Sequence, residues 1–267
     1  MSRNGQPTPR TRAGPTTAVP AATALFIGDF PLPRGHGLPT HHHRSHQLAW
    51  PTRGLLRIHT TLGSWLLPPS LALWIPAGVA HAPASEGDAV MSSLYLQPAR
   101  CPATASWPQP TVLGVDLLLR ALLDHLLRDD LAPEARARAE AVLFDALRPV
   151  PVTDVSAPEP KDARARGVAR ALAANPADDR TLSAWGTQVG ASARTLARLF
   201  TAETGLAFGQ WRKRLRMRAS MSLLAQGLPL DAVAHRVGYA SASSFAAAFH
   251  HVVGLTPRQY FPLEGRD

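Results

Sequence analysis

Leu230-Asp231-Ala232-Val233-Ala234-His235-Arg236-Val237-Gly238-Tyr239-Ala240-Ser241-Ala242-Ser243-Ser244-Phe245 decides the fold, because its pattern occurs twice. Leu182, Gly186, Val189 and Gly190 recur 48 residues later as Leu230, Ala234, Val237 and Gly238. Ser192, Leu196, Phe200, Gly205, Leu206 and Trp211 recur 49 residues later as Ser241, Phe245, Phe249, Gly254, Leu255 and Tyr260. Ten matched positions with one single-residue shift mark an internal repeat.

Each copy carries the physics of a helix-turn-helix. A short helix presents an apolar face: Leu182, Trp185 and Val189, then Leu230, Val233 and Val237. A small residue, Gly186 or Ala234, stands where two helices approach closely. Gly190 or Gly238 supplies the left-handed conformation that ends the first helix. Ser192 or Ser241 then caps the second helix. Leu196 with Phe200, and Phe245 with Phe249, are spaced i, i+4 and face inward. The opposite face points out, in position for a DNA major groove. Between the copies, Phe208 to Gln226 reads as one helix with a Trp211, Leu215, Ala219, Leu223 stripe. Arg212, Lys213, Arg214, Arg216 and Arg218 crowd its start. Asp162 to Ala174 reads as a helix ahead of both copies, ending at Asn175-Pro176. A rigid connector sets the two readers apart, and one face of B-DNA asks for about 34 Å.

The charge agrees. Residues 160–267 hold 15 of the 28 Lys/Arg and 7 of the 19 Asp/Glu, a net of +8, against +1 for residues 1–159. That excess suits a polyanion. Cys101 stands alone, which excludes an intrachain disulfide and fits a reducing compartment. Residues 1–20 are rich in Pro, Thr and Arg and read as disordered. No stretch approaches the roughly 18 apolar residues of a spanning helix, so no membrane role and a cytoplasmic location are expected.

Upstream of the repeat the texture changes. Residues 24–98 break into short apolar runs punctuated by Gly and Pro. Leu55 to Leu62 stops at Gly63, Ser64 to Leu67 at Pro68-Pro69, Leu71 to Ile75 at Pro76, and Val90 to Leu96 at Pro98. This spacing predicts a sandwich or small barrel, with Trp50, Trp65 and Trp74 in its core. Val112 to Leu127 and Ala132 to Leu147 show helical spacing (Leu117, Leu118, Ala121, Leu122; then Ala139, Val142, Leu143, Leu147). Their leucine faces serve either a dimer or their own barrel. Pro149, Pro151, Pro158 and Pro160 mark an interdomain linker.

His41, His42, His43 and His46 lie within six residues. Alternate residues on a strand point the same way, so His41 and His43 face together, and Gln47 can join them. Neutral imidazoles are good ligands for Zn, Ni, Cu or Fe. His42 and His46 read as solvated or structural.

Two resemblances follow from these residues. The run Gly227 to Phe245 with Phe249 and Gly254-Leu255-Thr256-Pro257-Arg258-Gln259-Tyr260 resembles the arabinose-regulator (AraC/XylS) family. So do Ser192 to Phe200, Gly205, Arg216-Met217-Arg218-Ala219 and Leu223-Leu224. It implies a seven-helix DNA-binding domain contacting two successive major grooves of double-stranded promoter or operator DNA. The outward side chains are then Ala193, Arg194, Thr195, Ala197 and Arg198 in the first reader, and Ala242, Ser243, Ser244, Ala246, Ala247 and His250 in the second. The DNA-contacting set is Ser192, Arg194, Thr195, Arg198, Arg212, Ser241, Ser243, Ser244 and His250. The family commonly has an arginine where Ala247 stands, so the first unit is expected to carry most of the sequence information.

Second, His41, His43, Gln47, Leu48, Gly54, Pro68, Pro69, Trp74, Ile75, Pro76, Gly78 and His81 resemble the cupin-type sensor of some such regulators. That resemblance implies a metal or effector site at His41, His43, Gln47 and His81, with a divalent transition metal as the candidate cofactor. Catalytic cupins usually carry glutamate at the position of Gln47, which argues against an enzyme.

The expectation is an α+β protein: a disordered segment 1–20, a cupin-like β-barrel sensor 21–105, a helical connector 106–148 that can dimerise, a linker 149–160, and an all-α double helix-turn-helix domain 161–265. It is read as a sequence-specific transcription regulator responding to a small molecule or metal. Its partners are DNA, an effector, a second copy of the chain and, for an activator, RNA polymerase. Two alternatives stay open: a metal-dependent cupin enzyme fused to a DNA-binding domain, and a constitutive regulator whose barrel only dimerises.

Overall fold

The computed structural model describes residues 25–102, 105, 107–128 and 130–262. The segment 1–20 and residues 263–265 of the expected last domain lie outside that set. Among the described residues the N-terminal half holds eight strands: β1 (Leu25–Leu32), β2 (His46–Arg53), β3 (Leu56–Thr60), β4 (Gly63–Leu67), β5 (Leu71–Ile75), β6 (His81–Ser85), β7 (Ala89–Leu96) and β8 (Thr111–Gly114). They form two antiparallel sheets, ordered β1-β7-β2-β5-β8 and β4-β3-β6.

Period-2 alternation decides which side chains go where. Ala49, Leu71, Leu73, Ile75 and Met91 face the space between the sheets, where Leu56, Ile58 and Leu67 meet them. Their neighbours Leu48, Trp50, Ala72, Trp74, Leu94, Leu96 and Leu113 face the other way. Two helices cover that outer face, α1 (Leu117–Leu126) and α2 (Pro133–Ala146), through Leu119, Leu123, Leu126, Ala139, Leu143 and Leu147. The connector helices thus pack on their own sheet.

Three expectations are corrected. The helix read from Val112 begins only at Leu117, with Asp116 as its cap, because Thr111–Gly114 pairs with Leu71–Trp74 as a fifth strand. On α1 the buried stripe is Leu119, Leu123, Leu126, while Leu117 and Leu118 are 83% and 54% exposed. Trp50 and Trp74 are buried, but under the two helices on the outer face rather than in the barrel core, and Trp65, which packs against the cluster between the sheets, is only half-buried.

The C-terminal half is all helix: α3 (Ala163–Ala174), α4 (Leu182–Val189), α5 (Ala193–Thr204), α6 (Phe208–Ala225), α7 (Leu230–Arg236), α8 (Ala242–Val253) and α9 (Pro257–Tyr260). These seven, among the described residues, match the expected count. Their packing is not symmetrical. The first unit has its own core of Leu172, Trp185, Leu196, Phe200, Trp211 and Leu215. The second unit buries Val233, Val237, Phe245, Phe249, Val253 and Tyr260 in one continuous cluster with the sheet interior of the first half. Tyr260 makes that junction specific. Its hydroxyl donates to the Leu66 carbonyl on β4, and its own carbonyl accepts from Ser70 Oγ at 2.6 Å.

The proline-rich segment 149–160 has no helix or strand, and it is pinned to both halves. Val150 N donates to Val112 O (3.0 Å), Thr153 N to Val253 O (2.8 Å), and Trp211 Nε1 to Pro158 O (2.8 Å). Val155 enters the shared core, and Ala157 enters the core of the first unit.

Candidate nucleic-acid interface and histidine site

The two helix-turn-helix units are built as their sequence dictates. Gly190 (φ +65°) and Gly238 (φ +82°) are left-handed at the turns, a conformation that L side chains with a Cβ resist. A Cβ on Gly186 would collide with the Ala191 carbonyl, so the close approach there is real. Ser192 Oγ accepts from Thr195 N at 3.1 Å and caps α5. Ser241 and Ser244 form a reciprocal capping box at α8. Leu196, Phe200, Phe245 and Phe249 are fully buried.

The opposite faces are open. On α5, Arg194 and Arg198 are exposed, with Thr195 half-buried beside the cap. On α8, Ser243, Ser244, Ala247 and His250 are exposed. The structure brings these expected contact residues onto the presented faces of the second helix in each unit. It also separates their roles. The hydroxyls of Ser192, Ser241 and Ser244 hold helix ends, whereas Arg194 and Arg198 are exposed and their guanidinium donors suit guanine edges or phosphate. Arg212 is partly committed elsewhere: it donates to the Arg180 carbonyl (3.0 Å) and lies over the Phe208 ring (5.2 Å). Arg216, read from the sequence only as one cation of a basic run, has its guanidinium between the two units.

In the sensor half, His41, His43 and His81 converge. Each offers a ring nitrogen, and these atoms all lie within 4.8 Å of one another. The convergence arises differently from the expected strand alternation. Residues 41–45 precede β2, and His41 is drawn in by an isolated bridge to His81, with N···O distances of 3.0 and 2.8 Å. The Nδ1 atoms of His41 and His81 sit 2.7 and 2.9 Å from the Pro39 and Val79 carbonyls. A carbonyl at Nδ1 selects the Nδ1–H tautomer and leaves Nε2 as an electron-pair donor. The Nε2 atoms of His43 and His81 are buried without a hydrogen-bond partner. Burial, reinforced by the other histidines, lowers both pKa values to about 4, so both rings are neutral at pH 7.

Gln47 lies across β2 and β7 from Tyr95. Its amide nitrogen donates to Ser93 Oγ (2.8 Å) and Tyr95 Oη (3.4 Å), and the Tyr95 ring meets His43 edge-on at 5.0 Å. The Gln47 carbonyl oxygen is buried and unpartnered. His42 is exposed, and His46 is structural: it accepts from Ala77 N (3.0 Å) and packs on Trp74 (4.8 Å). Among the described residues no helix is long and apolar enough to cross a membrane.

A helix-turn-helix domain family model matches residues 185–262. The HTH-type transcriptional regulator NimR of Escherichia coli is 31% identical over 83% of this chain and 81% of its own length. The HTH-type transcriptional regulator RipA of Corynebacterium glutamicum is 41% identical over 39% of this chain and 31% of its own. A structure of ToxT from Vibrio cholerae aligns over 91% of this chain and 100% of its own at 13% identity, with a TM-score of 0.38, too loose to bear on the fold. A putative AraC-like transcription regulator of Streptomyces antibioticus is 30% identical over 73% of this chain and 56% of its own. With two capped helix-turn-helix units and a transcriptional regulator 31% identical over most of both chains, the chain belongs to the AraC family of DNA-binding transcription regulators.

Proposed function

We propose that this regulator senses a divalent transition metal, or an effector bound through one, at His41, His43 and His81, and reads DNA chiefly through Arg194 and Arg198. The observation that carries the sensing role is the set of three converging imidazoles, with two buried Nε2 atoms left unpartnered. A buried polar atom without a partner costs about 1–3 kcal/mol unless something fills the site. The donor set fits a borderline metal: neutral imidazoles, two with Nδ1 held by a carbonyl as in well-ordered metal histidines. A metal there would supply a charged anchor for an effector. The protein's part is to orient the three rings and to keep His43 and His81 unprotonated.

Sensing is favoured over catalysis. Gln47 stands where an enzyme of this barrel type would place a carboxylate, and its amide donates to Ser93 and Tyr95. No general base is thereby supplied.

The partner proposals follow from exposed surface. Leu118 and Val142 (44% exposed) lie on α1 and α2, away from their own sheet. A second copy of the chain is the proposed occupant, giving a homodimer, and a regulator that activates would also engage RNA polymerase. A monomer in sedimentation at tens of micromolar would remove the dimer.

Elemental analysis of untagged protein beside the His41→Ala/His43→Ala double variant tests the sensing role. Near-stoichiometric metal in the wild type, lost in the variant, together with metal-dependent DNA affinity, is expected. No metal in either protein after incubation with Ni, Zn, Cu or Fe would retire the metal reading.

A further inference from the structure

Helix α6 belongs to two cores. Its first half (Phe208, Trp211, Leu215) lies in the core of the first unit, and its second half (Met217, Met221) in the core of the second. Arg216 sits at the crossover. Its Nε donates to Pro176 O (2.9 Å), Nη1 to Gly238 O (3.2 Å), and Nη2 to Asp178 O (3.2 Å), with Ala177 O at 3.5 Å.

Those acceptors belong to different bodies. Residues 176–178 form the loop entering α4, and that loop is fixed to the first unit. Asp178 accepts from Arg180, the Arg180 guanidinium lies 3.7 Å above the Trp185 ring, and Arg212 donates to the Arg180 carbonyl. Gly238 is the turn of the second unit. There is no slack between them: a Cβ on Gly238 would lie 2.7 Å from Arg216 Nη2 and 2.9 Å from Ala177 Cα.

We infer that Arg216 is the positioning residue that fixes the separation and orientation of the two DNA-reading helices, and hence the operator spacing the protein accepts. All four acceptors are neutral main-chain carbonyls, so what matters is reach in several directions at once. A planar guanidinium with five N–H donors supplies that, and a lysine ammonium does not. The helix alone is a weaker constraint, because two cores that meet at one helix can twist about it. Docking two helices into successive major grooves converts such a twist into a change of spacing. The inference rests on α5 and α8 being the DNA-reading helices.

The test uses the full chain. Sites are selected from a randomised double-stranded DNA pool with the wild type. Dissociation constants are then measured for the selected site and for versions with the spacer lengthened or shortened by one base pair. The wild type is expected to lose about tenfold or more per base-pair change. R216K, which retains the charge and can still reach one carbonyl, is expected to bind the selected spacing more weakly and to discriminate among the three spacers by less than about threefold. R216Q should be flatter still; should it not fold by circular dichroism, R216K decides alone. An R216K that keeps the wild-type spacing preference, at full affinity or uniformly weakened, overturns the inference. A wild type that selects no two-element site overturns the reading of α5 and α8 as well.

Discussion

Trp211 and Tyr260 occupy the same position in the repeat, and both are fully buried, yet their polar tips go to different places. Trp211 donates to Pro158 in the segment between the halves; Tyr260 donates to Leu66, on a strand of the sensor. The difference extends to their surroundings. The first helix-turn-helix unit is closed upon itself, whereas the second shares one continuous apolar cluster with the sheet interior. The internal repeat thus comprises two helix-turn-helix units with different attachments. The first presents Arg194 and Arg198; the second presents Ser243, Ala247 and His250 and is held by the sensor. The strand that carries His81, β6, pairs with β3, and β3 pairs with β4, where Leu66 accepts from Tyr260.

Substitution at the repeat positions separates these attachments. Trp211→Ala and Tyr260→Ala should each cost about 3–5 kcal/mol in denaturant unfolding, as large aromatic truncations in cores do. Limited proteolysis should then differ: Tyr260→Ala exposes both the sensor strands and α7–α9, while Trp211→Ala exposes α3–α5 and leaves the sensor protected. Equal exposure in the two variants would dissolve the distinction.

A smaller effect bears on reading. Arg198→Ala should weaken binding to the cognate site by about 1–3 kcal/mol, and Ser243→Ala by less, in a DNA titration at fixed salt. Equal losses would place base reading in both units. Smaller again is Tyr260→Phe, which removes one buried hydrogen bond while keeping the ring. About 1 kcal/mol is expected from denaturant midpoints.

The last effect concerns pH. In metal-free protein His43 and His81 titrate near 4, below the ordinary 6.5, because burial disfavours their charged forms. The unfolded chain then binds more protons than the folded one between those values, so stability is full above pH 6.5 and falls as pH drops toward 4. His43 is half-exposed, which keeps the loss modest. Unfolding followed by fluorescence from pH 7 to 4.5 should show it, and His43→Ala should flatten it. A stability that rises on acidification would contradict the neutral, buried assignment.

Much of this was legible in the sequence because the chemistry is local. A left-handed glycine, a capping serine and an aromatic four residues on from another apolar group identify a helix-turn-helix wherever they occur. His41 and His43 were visible by proximity, and His81 through the resemblance to a cupin-type sensor. What stayed hidden depends on distant partners. Thr111–Gly114 continues the apolar texture of the helix behind it, and only pairing with Leu71–Trp74 makes it a strand. Helix α1 has leucines on two faces, Leu117 and Leu118 on one and Leu119 and Leu123 on the other, so periodicity could not say which one the sheet covers. Tyr260 carries the same local signature as Trp211, and nothing in its neighbours announces a bond to Leu66. Arg216 read as one more cation in a basic run, although its role is set by carbonyls at residues 176, 178 and 238.

Native-state hydrogen exchange of the full chain, at increasing urea below the unfolding midpoint, tests the shared core most directly. Segments that open as one cooperative unit lose protection together. The account predicts that α7–α9 lose protection with β4 and β5, and that α3–α5 open at a separate denaturant concentration. Exchange in which α3–α5 and α7–α9 open together while the strands remain protected would contradict it, and would make the C-terminal half a single body independent of the sensor.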